Sequence, residues 1–187
     1  MEYLPLRDLA HLRRKSWSRE EVIEIAKQVL KALAFLHAAP QNLLHGSVKP
    51  HGSVKPTNIL LKSEEPLHCK LTAFSFTKPP SPNLSPSVTR SVFSAPDLTL
   101  EPKSDIWSLG VTLMWLLGIL PEMTTTTPMP PHECLPKIMR KVQSLQDSDV
   151  LTDLIRSMVV APPSLRASSS DCLRLLERAS GREQTHP

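Results

Sequence analysis

Aromatic side chains make up only 4% of this chain, and its 22 Lys and Arg do not gather into a stripe; Arg13, Arg14 and Lys15 are the one basic run. Single-stranded nucleic-acid surfaces stack bases on aromatics beside a basic groove, so nucleic acid is not an expected partner. Cysteine is equally scarce. Cys69, Cys134 and Cys172 are odd in number and far apart, which excludes a disulfide framework and a C-x-x-C metal pair and points to a reducing, intracellular and cytoplasmic setting. His68, His132 and His186 show no ligand spacing, so no metal is expected. Cys134 and Cys172 read most simply as small buried hydrophobes. The longest apolar stretch, Leu109 to Leu120, falls short of the about 20 residues that cross a bilayer. The start at Met1 has no basic segment followed by an apolar one, so neither a membrane span nor a secretory leader is expected.

What is present is an ordinary globular composition, 40% hydrophobic and 21% charged over 187 residues. A single domain of this size buries roughly 70% of the surface its unfolded chain exposes. The 19 prolines are unusual. They cluster at 79–86, at 128–131 and at 162–163, marking irregular connections between helical blocks, because proline breaks helix interiors.

Between those markers the pattern is helical. Ser18 and Glu21 form a capping-box pair ahead of Val22, Ile25, Ala26, Val29, Leu30, Leu33 and Leu36, which recur at helical spacing. Lys103 to Leu120 is hydrophobic on most of its circumference, as a central buried helix requires. Leu135 to Leu145, Asp149 to Val160 and Ser169 to Ala179 are three further helices, the last with a cap within Ser168–Ser170. Leu43-Leu44 and Ile59-Leu60-Leu61 read as short strands bounded by Pro, Gly and Asn. Lys78 to Val92 and Thr124 to Pro131 read as loops. Within the first loop Ser81-Pro82 and Ser85-Pro86 suit turns, and they also have the form of proline-directed phosphorylation sites.

One feature breaks the pattern. His45-Gly46-Ser47-Val48-Lys49-Pro50 is followed at once by an identical copy, His51-Gly52-Ser53-Val54-Lys55-Pro56. Two short copies are too few for a repeat architecture, so the duplication is a local insertion. Leu43-Leu44 lead directly into the first copy, whereas Asn58 is in register only with the second. The sequence leaves open which histidine takes the buried place.

Four segments, in order, resemble the protein-kinase family. His51-Gly52-Ser53-Val54-Lys55-Pro56-Thr57-Asn58 stands where that family has H-R-D-x-x-x-x-N. Lys70-Leu71-Thr72-Ala73-Phe74-Ser75 stands at its D-F-G, and Ser94-Ala95-Pro96-Asp97 at its A-P-E. Lys103 to Val111, with Asp105, Trp107 and Gly110, closely resembles its central C-lobe helix. Met1-Glu2-Tyr3 is similar to the hinge strand, Leu6 to Lys15 to the short helix after it, and Glu20 to His37 to the helix before the catalytic loop.

The resemblance implies a mainly α fold, a kinase C-terminal lobe with a central buried helix and a few short strands. It makes residues 1–180 a truncated kinase-like domain and 181–187 a flexible tail. With five glycines in the chain there is no G-x-G-x-x-G loop, and no V-A-I-K lysine, so the N-lobe is expected to be absent. Chemistry is expected to be absent too. Ser53 replaces the catalytic Asp, and a positioned base contributes about 10²–10⁴-fold. Ala73 replaces the metal-binding Asp and has no ligand atom, leaving Asn58 as a poor lone anchor for magnesium. Lys55 and Asn58 are remnants of the nucleotide site, Asn58 alternatively pinning the loop backbone. His51, Phe74, Asp97, Asp105 and Arg166 take structural roles, with Asp105 bonded to loop backbone and Asp97 paired with Arg166. Gly46 and Gly52 remove the arginine that receives an activation-segment phosphate. The expectation is a catalytically inactive pseudokinase that binds an unidentified protein, with weak or absent ATP and magnesium binding.

Overall fold

The computed structural model describes residues 7–12, 17–38, 50–72, 91–97, 101–120 and 131–183. The strand reading at Leu43-Leu44, the hinge reading at Met1–Tyr3 and most of the two proline-marked loops lie outside them.

Helix α1, Arg19–Ala38, begins as its sequence dictates. The Ser18 N–H donates to Glu21 Oε2 at 2.9 Å and the Glu21 N–H donates to Ser18 Oγ at 3.2 Å, a reciprocal pair that satisfies two otherwise orphaned donors. Its apolar stripe from Val22 to Leu33 is buried. A two-stranded antiparallel sheet follows, β1 (Ile59–Glu64) and β2 (Leu67–Leu71), with Ile59 opposite Leu71 and an irregularity between Leu61 and Ser63. The side chain of Gln28 ties α1 to β2: its Nε2 donates to the Leu67 carbonyl at 2.8 Å and its Oε1 accepts from the Cys69 N–H at 2.7 Å.

The stretch expected as a short helix, Leu6 to Lys15, is something else in its described part. The Leu9 N–H donates to the Ile59 carbonyl and the Leu61 N–H to that of Arg7, so this segment bridges β1. Residues 9–12 then turn, with Asp8 Oδ1 accepting from the N–H groups of Ala10 and His11. The Asp8 carbonyl also accepts from the His11 and Leu12 N–H groups, both at 3.1 Å, so Asp8 caps a single turn within the described residues.

Helix α2, Pro102–Leu116, is the axis of the core. Proline suits its first position. It ends four residues before the expected Leu120 because Gly118 adopts φ +69°. The Ile119 N–H reaches the Met114 carbonyl and the Gly118 N–H that of Trp115, both at 3.0 Å, closing a Schellman motif. Gly110 lets the chain at Met158 and Val159 approach: a Cβ there would lie 2.6 Å from Val159 Cγ2 and 2.9 Å from Met158 Cβ.

Helix α3, Pro131–Gln143, starts and stops earlier than the expected Leu135–Leu145, again with proline at its opening. Helix α4, Val150–Met158, is two residues short of Val160; Asp149 caps it, its Oδ1 accepting from the Thr152 N–H at 2.8 Å. Helix α5, Ser169–Glu183, runs into the expected tail, so residues 181–183 are helical. Ser168 and Asp171 cap it reciprocally, at 2.9 and 3.2 Å. Helix α1 packs against α5, β2 and α2, and α4 against α2 and α5. Among the described residues no helix is long and apolar enough to cross a membrane.

Candidate functional site

The segment from Pro50 to Asn58 enters β1 through a 3-10 turn at Pro56–Asn58 and is anchored from below by α2. Asp105, 1% exposed, accepts the His51 N–H on Oδ2 at 2.7 Å and the Gly52 N–H on Oδ1 at 2.8 Å. The same Oδ2 meets His37 Nε2 at 2.9 Å, and His37 Nδ1 lies 3.3 Å from Ser169 Oγ. The buried carboxylate is thereby satisfied on both oxygens, which offsets its desolvation. The expected bond from Asp105 to loop backbone is formed.

His51, 2% exposed, has both ring nitrogens engaged. Its Nε2 lies 2.9 Å from the Thr72 carbonyl, which only accepts, so Nε2 carries the proton; Nδ1 then accepts from the Ser53 N–H at 3.3 Å. Burial pushes its pKa below the ordinary value, against the opposing pull of the Thr72 carbonyl and Asp105. A neutral imidazole with no free nitrogen braces a loop and does not abstract protons. The second copy of the repeat therefore holds the buried histidine position; His45 lies outside the described residues.

Gly52 takes φ +75°, a region open to glycine at little steric cost. Ser53 and Asn58 face each other: the Asn58 amide donates to the Ser53 carbonyl at 2.7 Å and to its Oγ at 2.9 Å. The Asn58 carbonyl accepts from the Thr72 N–H at 2.8 Å, joining the loop to the end of β2. Ser53 is thus an acceptor toward Asn58 on both its carbonyl and its hydroxyl. Lys55 is half-buried, its carbonyl accepting from the Asn58 N–H at 2.9 Å. Ala73 and Phe74 lie outside the described residues.

Away from the loop, Arg166 Nη2 donates to Asp97 Oδ1 at 2.8 Å, the ion pair expected from the sequence. The Arg166 side chain is 0% exposed. Its other donors reach the carbonyls of Val160, Lys103 and Ala161 at 2.8–3.0 Å, and its guanidinium lies 5.3 Å from the Trp107 ring centroid. Ser104 Oγ donates to Asp97 Oδ2 at 3.1 Å. His37, Ser104 and Thr72 belong to these networks without any local signal in sequence; His37 reaches Asp105 across 68 positions. Cys69 and Cys172 are buried with thiol pKa values pushed up to about 12 by burial, and burial raises Cys134 as well. None of the three is a reactive thiol.

The arrangement matches a known family. The model of the protein kinase domain matches residues 1–176. The chain is 27% identical to the serine/threonine-protein kinase pakF of Dictyostelium discoideum over 177 residues, covering 90% of this chain and 14% of that protein. It is 32% identical to the U-box domain-containing protein 33 of Arabidopsis thaliana over 161 residues, 81% of this chain and 17% of that protein. With serine/threonine-protein kinase 17A of Oryctolagus cuniculus it shares 29% identity over 176 residues, 87% and 41% of the two. The chain thus spans 14%, 17% and 41% of the length of these three relatives. Its fold is similar to a crystal structure of the Rad53 kinase domain and SCD2 in complex with AMPPNP, with a TM-score of 0.69 and 18% identity, covering 100% of this chain and 77% of that one. A mainly helical body, a small sheet beside the loop at His51–Asn58 and the family match over residues 1–176 lead to one assignment: this chain belongs to the protein kinase domain family.

Proposed function

We propose that this chain is a noncatalytic kinase-like module, carrying the C-terminal lobe of that fold and acting by binding another protein. The observation that carries the reading is the pairing of Ser53 with Asn58. The residue at the position of the catalytic base is a hydroxyl that receives a hydrogen bond from an amide, 2.9 Å away. A serine hydroxyl takes up no proton near neutral pH without a base of its own.

The magnesium-nucleotide site fits poorly on the chemistry of its donors. Of the side chains of Asn58 and Ala73 only that of Asn58 offers a ligand atom, its Oδ1, since its Nδ2 is a donor engaged with Ser53, and Ala73 offers no oxygen beyond its backbone. Magnesium asks for a near-octahedral shell of hard oxygens. Nucleotide binding by these residues is therefore weak or absent. The loop is meanwhile held by Asp105 and the arginine of the second network by Asp97, so scaffold is retained where chemistry is not. The partner-binding face lies on the helices after Pro131, where α3 presents Glu133, Lys137, Arg140 and Lys141 on its exposed side. Three free, buried cysteines suit an intracellular setting.

The second reading is a residual serine/threonine kinase in a longer form of the protein, favoured by the retention of Lys55 and Asn58 in a well-anchored loop. Incubation of the purified chain with magnesium-ATP and generic substrates separates the two. No transfer above a heat-denatured control is expected. Robust transfer that disappears in Asn58→Ala would sink the first reading, and magnesium-dependent stabilisation by ATP would favour the second.

A further inference from the structure

The loop sequence is present twice, and the seat it occupies is almost blind to the difference. The seat asks for two adjacent backbone N–H groups for Asp105, at 2.7 and 2.8 Å. It asks for an imidazole whose Nε2 reaches the Thr72 carbonyl at 2.9 Å, and for a glycine directly after it at φ +75°. Two positions further on it takes a valine that is 1% exposed. His51, Gly52 and Val54 meet these demands, and His45, Gly46 and Val48 are the same residue types in the same order. A chain shifted by six residues satisfies every one of them.

What the first copy lacks lies downstream. Asn58 stands five residues after Ser53 and donates to its carbonyl at 2.7 Å and its hydroxyl at 2.9 Å. Its own backbone is held to Thr72 at the end of β2. Five residues after Ser47 comes Gly52, which has no side chain to donate. Chain entropy discriminates less. The two registers differ by six residues of identical sequence, and loop-closure entropy varies only with the logarithm of length.

We propose that Asn58 is the register-selecting residue of this loop: its amide holds the second copy in the seat against the first, which is otherwise an equal competitor. The chain then has two registers, separated mainly by the two Asn58 hydrogen bonds, and the structure is that of the favoured one. This inference rests on the loop geometry alone and stands whether or not the chain is catalytic.

The test follows amide protection residue by residue. Hydrogen exchange read by NMR on the 187-residue chain is expected to protect the His51 and Gly52 amides and leave those of His45 and Gly46 fast. In Asn58→Ala protection divides between the two pairs, with a second set of resonances for Thr72. Protection confined to His51 and Gly52 in a folded Asn58→Ala protein overturns the proposal. Should that variant fail to fold, a histidine series in the Asn58 background decides. In His51→Ala the first copy moves into the seat, so protection appears at His45 and Gly46, and the double variant His45→Ala/His51→Ala melts several degrees lower still. Equal melting temperatures for the single and double variants overturn the proposal. Deleting residues 45–50 gives the same polypeptide as deleting 51–56; it removes the competitor, and Asn58→Ala in that background is expected to show one set of resonances.

Discussion

Arg166 and Asp97 meet at 2.8 Å beneath the surface, the guanidinium wholly buried and the carboxylate nearly so. Four acceptors and the face of Trp107 surround the arginine. Removing one partner of such a pair leaves an uncompensated buried charge, which costs about 3–5 kcal/mol. Asp97→Ala is therefore expected to lower the urea midpoint by that much stability. Asp97→Asn, which keeps an acceptor oxygen for Nη2, is expected to cost clearly less. Matching losses in the two variants would mean that the neutral acceptor contributes nothing, whereas an Asp97→Asn protein as stable as the wild type would mean that the charge contributes nothing.

Gly110 is a packing requirement. With Val159 Cγ2 at 2.6 Å and Met158 Cβ at 2.9 Å from where its Cβ would sit, even alanine forces α2 and α4 apart. Overpacking of this kind typically costs about 1–3 kcal/mol. For a chain of this size that is roughly 2–4 °C of melting temperature per kcal/mol. Gly181, near the end of α5 and with nothing within 4 Å, is the control: alanine there should be neutral or slightly stabilising. A Gly110→Ala protein that melts with the wild type would remove this account of the α2–α4 contact.

The two networks differ in how far sequence exposes them. The Asp97–Arg166 pair and the clamp of Asp105 on loop backbone could be expected because each end lies in a motif of recognisable order. His37 could not, since it is one polar residue at the end of an amphipathic helix and its partners, Asp105 and Ser169, are supplied by tertiary packing. Helix positions followed from periodicity, while their ends followed from backbone chemistry that periodicity does not register: Gly118 at φ +69° stopped α2, and proline at position 131 started α3 early. The Arg7–Leu12 segment misled for a related reason. Its helix was expected from the family resemblance alone, but in the described part β1 offers it an unpaired edge and Asp8 caps the turn. The duplicated loop shows the limit most clearly, because identical copies carry identical local information and only Asn58, downstream, tells them apart.

His51 makes stability depend on pH in a direction that can be worked out. Burial lowers its folded pKa below the unfolded value of about 6.5. Between the two values the unfolded chain binds the extra proton, so stability rises with pH across that window. The contribution is fully present above about pH 6.5 and is lost as the pH falls through that value towards the lower folded pKa. Denaturant midpoints measured from pH 7.5 down to 5 are expected to fall, and more steeply in the wild type than in His51→Gln. The other histidines are common to both proteins, so the difference between the two curves isolates this ring. Parallel curves would show that the ring is not buried neutral in solution.

The cysteines report on whether this packing exists in solution at all. Cys69 and Cys172 are 5% and 0% exposed, and burial pushes both thiols up to about 12. Only the thiolate attacks a disulfide reagent, and an unperturbed thiol near 8.5 is several per cent ionised at pH 7.5, whereas a group at about 12 is ionised about three thousand times less than that. Cys134 is 4% exposed and raised in the same direction. All three are therefore expected to react with an aromatic disulfide reagent only as fast as the protein opens. In native buffer the reaction should be slow and should not scale with reagent once opening limits it; in denaturant it should release all three equivalents at once. Immediate reaction of two or more thiols without denaturant would mean that the α1–β2 and α4–α5 contacts covering Cys69 and Cys172 do not persist in the isolated chain.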